Sequence, residues 1–132
     1  MRGRAGIIAT VGAVLLVIGG CVHSGSSVAP GGDPTVITGE QIAALHAANA
    51  YEVVQSIHGN FLRSRGRESS DPNVPPIPVH VYVDDTYLGD VSALSGISTQ
   101  VISEIRLYQS YEAQYKFGSG HMGGVIQVIT KN

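Results

Sequence analysis

Cysteine, tryptophan and charged side chains are all scarce in this sequence of 132 residues. Its single cysteine excludes an intramolecular disulfide and a cysteine-rich zinc site. Basic residues number 8 against 10 acidic ones, so the chain lacks the positive field of a nucleic-acid binder that works by charge. Hydrophobic residues make up 43% of the chain, enough to bury a core, which excludes wholesale disorder. This length favours one folded domain.

A long hydrophobic run occurs only at the amino end, directly after Arg2 and Arg4. A basic start, a short apolar run and small residues behind it are typical of a secretory signal peptide, since the run is short for a membrane span. The run ends in Ile18-Gly19-Gly20-Cys21, which resembles the lipoprotein box of bacteria. The resemblance implies cleavage before Cys21, a lipid carrying palmitate-type acyl chains on its sulfur, and export to the outer membrane. A plain signal peptide and a retained anchor are the alternatives.

Three regions follow from this pattern. Residues 1–20 are expected to be the signal peptide, and residues 21–34, rich in glycine, serine and proline, a flexible tether. Residues 35–132 are expected to be the folded domain. One predicted turn of this domain contains three arginines, Arg63, Arg65 and Arg67. This turn is either a solvated loop or a contact for an acidic partner or an anionic lipid.

Apolar periodicity predicts one long helix near the start of the domain. Thr38 and Gln41 have the spacing of a capping box, and apolar side chains then recur on one helical face as far as Gly59. We expect a single helix of about 20 residues. His46 falls on its apolar face, where we interpret it as a buried, hydrogen-bonded core histidine.

Alternation of apolar and polar residues predicts the strands. Four segments show the pattern, namely 35–37, 79–83, 104–108 and 125–130. The last is apolar on both faces and should therefore be central. Short helices are expected over 99–103 and 110–117, and a loop over 88–97. The predicted fold class is α+β, a small mixed four-stranded sheet with one long and two short helices on one face.

Several short motifs follow one another through residues 35–131. In order they are Ile37-Thr38, Arg65-Gly66, Val83-Asp84-Asp85, Ile102 to Leu107, Tyr115 to Gly120 and Gly123 to Lys131. Their order resembles the plug domain of TonB-dependent outer-membrane receptors, and the paired glycines before the last strand are the most specific part. Asp85 stands where the family has a turn glycine. Because a membrane barrel needs many strands of about 9–11 residues, we expect a stand-alone plug without a barrel.

Catalytic and metal-binding motifs are not recognisable, so we expect neither an enzyme nor a cofactor. The five histidines lack the spacing of metal ligands. Asp84, Asp85 and Asp90 lack the ligand alternation of a calcium loop, so we interpret them as solvated turn residues. Residues 118–124 lack the lysine and the serine or threonine directly after it that reach the phosphates and metal in a phosphate loop, so their glycines are expected to allow close backbone packing.

The resemblance and the low charge together imply a non-enzymatic, lipid-anchored module on the periplasmic side of the outer membrane. It is expected to bind a protein partner of the envelope, with a barrel among the candidates. The candidate partner-binding residues are Tyr82, Arg106 and Tyr108, the last two sharing a strand face turned away from the core. The alternative is a small-ligand-binding lipoprotein with a pocket mouth near Tyr82, Tyr87 and Tyr108.

Overall fold

The computed structural model describes residues 33–63 and 70–132, which lie within one compact unit. The expected signal peptide, Cys21, nearly all of the tether and the Arg65-Gly66 motif lie outside the described residues. No helix in the described part of the chain is both long and apolar enough to cross a membrane.

The amino-terminal strand and the cap that starts the first helix form where the sequence predicts them. Strand β1 covers Val36–Thr38 and helix α1 covers Gly39–Leu45. Thr38 caps α1 in a capping box, in which its backbone N–H donates to Oε1 of Gln41 over 2.9 Å and its side chain accepts from the Gln41 N–H. This pairing satisfies N–H groups that the first turn leaves without helical partners.

The prediction of one long helix is wrong, because the chain breaks after α1. His46 adopts a left-handed conformation with φ of 51°, and a second helix, α2, begins at Ala50 and ends at His58. Asn49 caps α2 by accepting from the Glu52 N–H over 3.0 Å. His46 is exposed, which corrects the interpretation of a buried core histidine.

Long-range hydrogen bonds explain the break between the two helices. The hydroxyl of Thr99 donates to the Ala47 carbonyl over 2.7 Å, and the Thr99 N–H donates to the Ala48 carbonyl. The Ala50 N–H in turn donates to the carbonyl of Ile97. These backbone groups pair with a distant loop and therefore cannot extend a helical ladder. Helical periodicity alone does not contain that information.

Within residues 33–63 and 70–132 the sheet has five strands in the order β1-β4-β5-β2-β3, one more than predicted. The remaining strands are β2 (His80–Val83), β3 (Thr86–Asp90), β4 (Ile102–Tyr108) and β5 (Val125–Thr130). β2 and β5 are parallel and the other pairs are antiparallel, so the mixed sheet and the α+β class are confirmed. β5 is central and mostly buried, also as predicted.

The unpredicted strand is β3, which the sequence indicated as part of a loop. Its side chains are exposed at four of five positions, so it lacks the in-and-out alternation that marks a half-buried strand. A register shift opposite Val81 and Tyr82 interrupts its pairing with β2. The strand forms because the Asp84-Asp85 turn reverses the chain, with Asp84 rather than Asp85 in the left-handed region at φ of 53°.

Of the two short helices predicted after the loop, one is confirmed. Helix α3 covers Ser110–Phe117, as expected, and ends at Gly118. The other is a single 3-10 turn over Thr99–Val101, capped by the side chain of Ser98, because strand β4 already begins at Ile102. A further 3-10 segment covers Val91–Gly96.

The helices lie on both faces of the sheet, not on one as predicted. The hydrophobic core joins α1 and α2 to one face, where Ile42, Val53 and Val54 pack among buried residues of every strand except β3. Helix α3 packs on the opposite face, since the ring of Phe117 contacts the rings of Tyr82 and Tyr108. Tyr108 alternates with the buried Leu107, so the two side chains point to opposite faces. Periodicity marks a buried helix face but not which side of the sheet receives it.

Candidate functional site

The sheet face opposite the main core is dominated by aromatic rings. We call it the aromatic face, and it comprises His80, Tyr82, Tyr87, Tyr108, Phe117 and His121. Phe117 joins its two halves, because its ring centroid lies 4.5 Å from that of Tyr82 and 5.4 Å from that of Tyr108. Such contacts hold aromatic side chains in defined orientations.

A buried glutamine in the central strand forms hydrogen bonds to several segments that carry this face. Gln127, in the central strand, is 4% exposed, and its Oε1 accepts from the Tyr108 hydroxyl over 3.1 Å and from Nζ of Lys116 over 2.8 Å. Its Nε2 donates to the carbonyl of Asp84. Each buried polar group of the amide therefore has a partner, as burial requires. The amide links β4, α3 and the β2–β3 turn into one rigid unit.

Lys116 places a positive charge over the aromatic rings. Its Nζ donates to the Tyr108 hydroxyl over 2.7 Å and lies 4.5 Å from the centroid of the Tyr108 ring. An ammonium over a ring face is attracted by the ring quadrupole. Within the part of the chain that the structure describes, the one ion pair is that between Arg106 and Glu104, so Lys116 has no carboxylate partner there.

The structure brings the three predicted partner-binding residues onto one face. Tyr82 and Tyr108 both contact Phe117, and Arg106 lies on the same side of β4 as Tyr108. Nε of Arg106 donates to Glu104 over 2.6 Å, with 45% of the arginine side chain exposed. Hydrogen bonds to Glu104 and then to Tyr108 raise the pKa of Arg106 above its ordinary value, so it stays charged at any physiological pH. The predicted orientation of Arg106 and Tyr108 away from the core is confirmed.

Two tyrosines of α3 were missed by the sequence reasoning. Tyr111 is 82% exposed and Tyr115 is 89% exposed, one helical turn apart. Together with Tyr108 they form what we call the tyrosine strip, which lines a shallow depression of about 320 Å³ with Glu112 and Lys116. The available signal was the spacing of three tyrosines at positions 108, 111 and 115, which places them on one side of a helix and its entry.

The two histidines of the aromatic face, His80 and His121, contact each other, and His121 also contacts the ring of Tyr82. Nδ1 of His121 donates to the Gly118 carbonyl over 2.9 Å, and Nε2 is hydrogen-bonded to the Tyr82 hydroxyl over 2.9 Å. The ring centroid of His80 lies 4.9 Å from that of His121. Burial, and then the neighbouring His121, lower the pKa of His80 below its ordinary value. This favours the neutral ring and an apolar surface.

Carboxylates near the β2–β3 turn serve local structure. The carboxylate of Asp84 accepts from the N–H and hydroxyl of Thr130, over 3.0 and 2.8 Å, and Asp90 accepts from the Ser92 N–H over 2.9 Å. Among the described residues, no three of His, Cys, Asp or Glu lie close enough together to hold a metal ion. Asp84 thus joins the β2–β3 turn to β5, and Asp90 caps the 3-10 segment that follows β3.

A larger concavity lies away from the aromatic face, at the end of α2. It measures about 600 Å³, and its lining includes Tyr51, Gln55, His58, Asn60, Arg63 and Gln109. Its volume is within the range of small-molecule sites, but the lining is more polar than is usual for them. Of the three tyrosines near which a pocket mouth was expected, Tyr108 lines the depression at the tyrosine strip, whereas Tyr82 and Tyr87 line neither that depression nor this cleft.

Comparisons of the chain with protein-family models, with curated proteins and with solved structures find no match in any of the three.

Proposed function

We propose that this chain is a non-enzymatic, lipid-anchored module of the outer membrane whose plug-like domain binds a protein partner in the envelope. The observation that carries the proposal is the tyrosine strip, in which Tyr111 and Tyr115 are 82% and 89% exposed on one face of α3. Tyrosine is enriched among the residues that contribute most to protein–protein binding. The motifs at Cys21 and through residues 35–131 support the anchor and the plug-like domain.

The strip is presented on a firmly held helix. Ala113, on the opposite side of α3, is fully buried, and Phe117 is packed between Tyr82 and Tyr108. A rigid support lowers the entropy lost when a partner binds. Burying two tyrosine side chains removes about 300–500 Å² from water, a large share of the roughly 800 Å² that each partner contributes to a standard interface.

Site-specific photocrosslinking in intact cells tests the proposal. A benzoyl-phenylalanine at position 115 should crosslink to one discrete envelope protein, identified by mass spectrometry. The same probe at Val101, which is 49% exposed on another surface, is the matched control. No product from position 115, or the same product from both positions, contradicts the proposal.

Substitution then measures what the strip contributes. Tyr115→Ala should weaken binding of the identified partner about 10- to 30-fold, the effect of losing one interfacial hot spot. Val101→Ala should leave binding unchanged. Replacing Arg106 and Tyr108 should also reduce binding, and Tyr108→Phe separates the ring from the hydroxyl that bonds Gln127. Melting temperatures of all variants show whether the fold is kept.

The second candidate function, a small-ligand-binding lipoprotein, is favoured by the cleft of about 600 Å³ at the end of α2. A compound that binds there should raise the melting temperature with its concentration, since binding to the folded state stabilises it. A saturable shift that is lost in Gln55→Ala, together with no crosslink from position 115, would favour this function over protein binding.

A further inference from the structure

Among the residues that the structure describes, strand β3 leaves one edge of the sheet open. It is the last strand in the order β1-β4-β5-β2-β3, and within that part of the chain it pairs with β2 alone. It has five residues, whereas β1 at the opposite edge has three. An open edge strand carries unpaired backbone N–H and C=O groups that can bind another extended chain.

The direction of the backbone groups follows from the bonds of β2. The N–H groups of His80 and Asp84 donate to carbonyls of Gly124 and Val128, on the β5 side. Val81 and Val83, between them, therefore direct their backbone groups toward β3. Their partners there are Gly89 and Thr86. Tyr87 lies between those two partners, so its N–H and C=O point outward.

Most of the features that protect natural edge strands are missing from β3. Residues 86–90 contain neither lysine nor proline. Tyr87 and Leu88 are 54% and 48% exposed. The protective features that β3 does have are the register shift opposite Val81 and Tyr82 and the charge of Asp90, which opposes another acidic strand but not a basic one.

The open edge is also negatively charged. Asp85, in the turn that leads into β3, and Asp90, at the end of β3, are both exposed, and residues 70–105 contain no lysine or arginine. Hydrogen bonds from Ser92 hold the pKa of Asp90 below its ordinary value, so its carboxylate is ionised at neutral pH. Neither carboxylate forms an ion pair with any residue that the structure describes.

We propose that β3 binds an extended, basic segment of a partner protein, which adds to the sheet as a sixth strand. Backbone hydrogen bonds to Tyr87 provide the attachment, and lysine or arginine near the ends of the segment pairs with Asp85 and Asp90. An apolar partner side chain beside Tyr87 meets the aromatic face, whose His80 and Tyr82 rings lie 5.5 Å from that of Tyr87. This mode of binding is strand addition.

A second copy of the chain fits this edge poorly. Antiparallel pairing of two β3 strands about their centre brings Asp90 of one copy close to Asp85 of the other, and does so twice. Like charges facing each other across strands are destabilising. Five paired residues also provide less area than a stable dimer needs. The charge therefore favours a basic partner strand.

The inference rests on the proposed function, which states that the partner is a protein. It adds the place at which one segment of that partner binds and the chemistry of the contact. A capped seven-residue peptide with a lysine at each end and alternating valine and threonine between them is the probe. It is added to the isotopically labelled full chain in detergent micelles, observed by NMR. Shifts should be confined to residues 86–90 and their β2 neighbours, with exchange of the Tyr87 amide slowed at least tenfold.

Two altered peptides and two variants complete the test. The same peptide N-methylated at alternate residues should not bind, and one with glutamate ends should bind at least tenfold more weakly. Tyr87→Pro removes the outward N–H at a position where an edge strand tolerates proline, and it should abolish binding. Tyr87→Phe keeps the N–H and should bind as the parent does.

The inference is overturned if millimolar peptide leaves the β3 amides unchanged, or if the N-methylated peptide binds equally well. Equal binding of the glutamate peptide overturns the basic character of the partner. Failure here with a discrete crosslink from position 115 leaves the proposed function intact. Peptide binding without that crosslink supports strand addition at β3 and contradicts the tyrosine strip as the partner-binding surface. The failures of the two proposals are therefore distinguishable.

Discussion

The paired glycines before β5 provide the sharpest test of how this sequence makes this fold. A Cβ at Gly123 would lie 2.0 Å from the carbonyl oxygen of Pro78 and 2.6 Å from its carbonyl carbon. Directly beyond this contact the parallel pairing of β2 with β5 begins, with the His80 N–H donating to the Gly124 carbonyl over 3.1 Å. The close approach therefore sets the point at which two neighbouring strands join.

The expected cost of Gly123→Ala follows from what must move. Overpacking in a core where side chains can shift costs about 1–3 kcal/mol. Here the Cβ meets backbone atoms on a neighbouring segment, so the loss should reach at least about 3 kcal/mol. Since 1 kcal/mol shifts the melting temperature of a domain of this size by about 4–8 °C, we expect a fall of about 12–24 °C.

Thermal unfolding followed by circular dichroism measures this effect. Gly59→Ala is the matched control, because a Cβ there meets nothing within 4 Å and the residue has a helical φ of −54°. It should leave stability unchanged or raise it by up to about 1 kcal/mol. A Gly123→Ala chain that melts within a few degrees of the Gly59→Ala chain would refute the reasoning.

Three further predictions concern the anchor, the β2–β3 turn and the core. Cys21→Ser should lose incorporation of a clickable fatty acid in cells, and equal labelling would contradict lipidation. Asp84→Asn should destabilise the chain at pH 7, because bonds from Thr130 hold the carboxyl pKa below its ordinary 3.8. That difference should vanish as pH falls through the lowered pKa in acid-dependent melts, and a constant difference would exclude the charge as its cause. Ile105→Ala, at a fully buried position, should cost about 2–5 kcal/mol in denaturant unfolding, against less than about 0.5 for exposed Val101→Ala.

The strand and helix assignments that succeeded depend on local pattern. β5 is apolar on both faces and is buried in the centre of the sheet, while α3 covers the predicted residues and ends at Gly118. The Thr38–Gln41 capping box also forms as its spacing predicts. In each case the information lies within one short segment, so it can be read without the fold.

The failures share a different cause. His46 ends α1 because the next residues bond to Ile97 and Thr99, some fifty positions along the chain. β3 forms because the turn at Asp84 holds it beside β2, although its exposed side chains show no alternation. Long-range pairing overrides local propensity in both places.

The sequence by itself determined the α+β class, the central strand and the orientation of Arg106 and Tyr108 away from the core, because strand period and hydrophobicity are local. Tertiary structure alone decided that α3 lies on the opposite face from α1 and α2, since either face of the sheet could accept its short apolar side. That placement unites Tyr82, Phe117 and Tyr108 and leaves the two tyrosines of α3 exposed to solvent. The candidate binding surface therefore arises from packing between distant segments, which no single segment encodes.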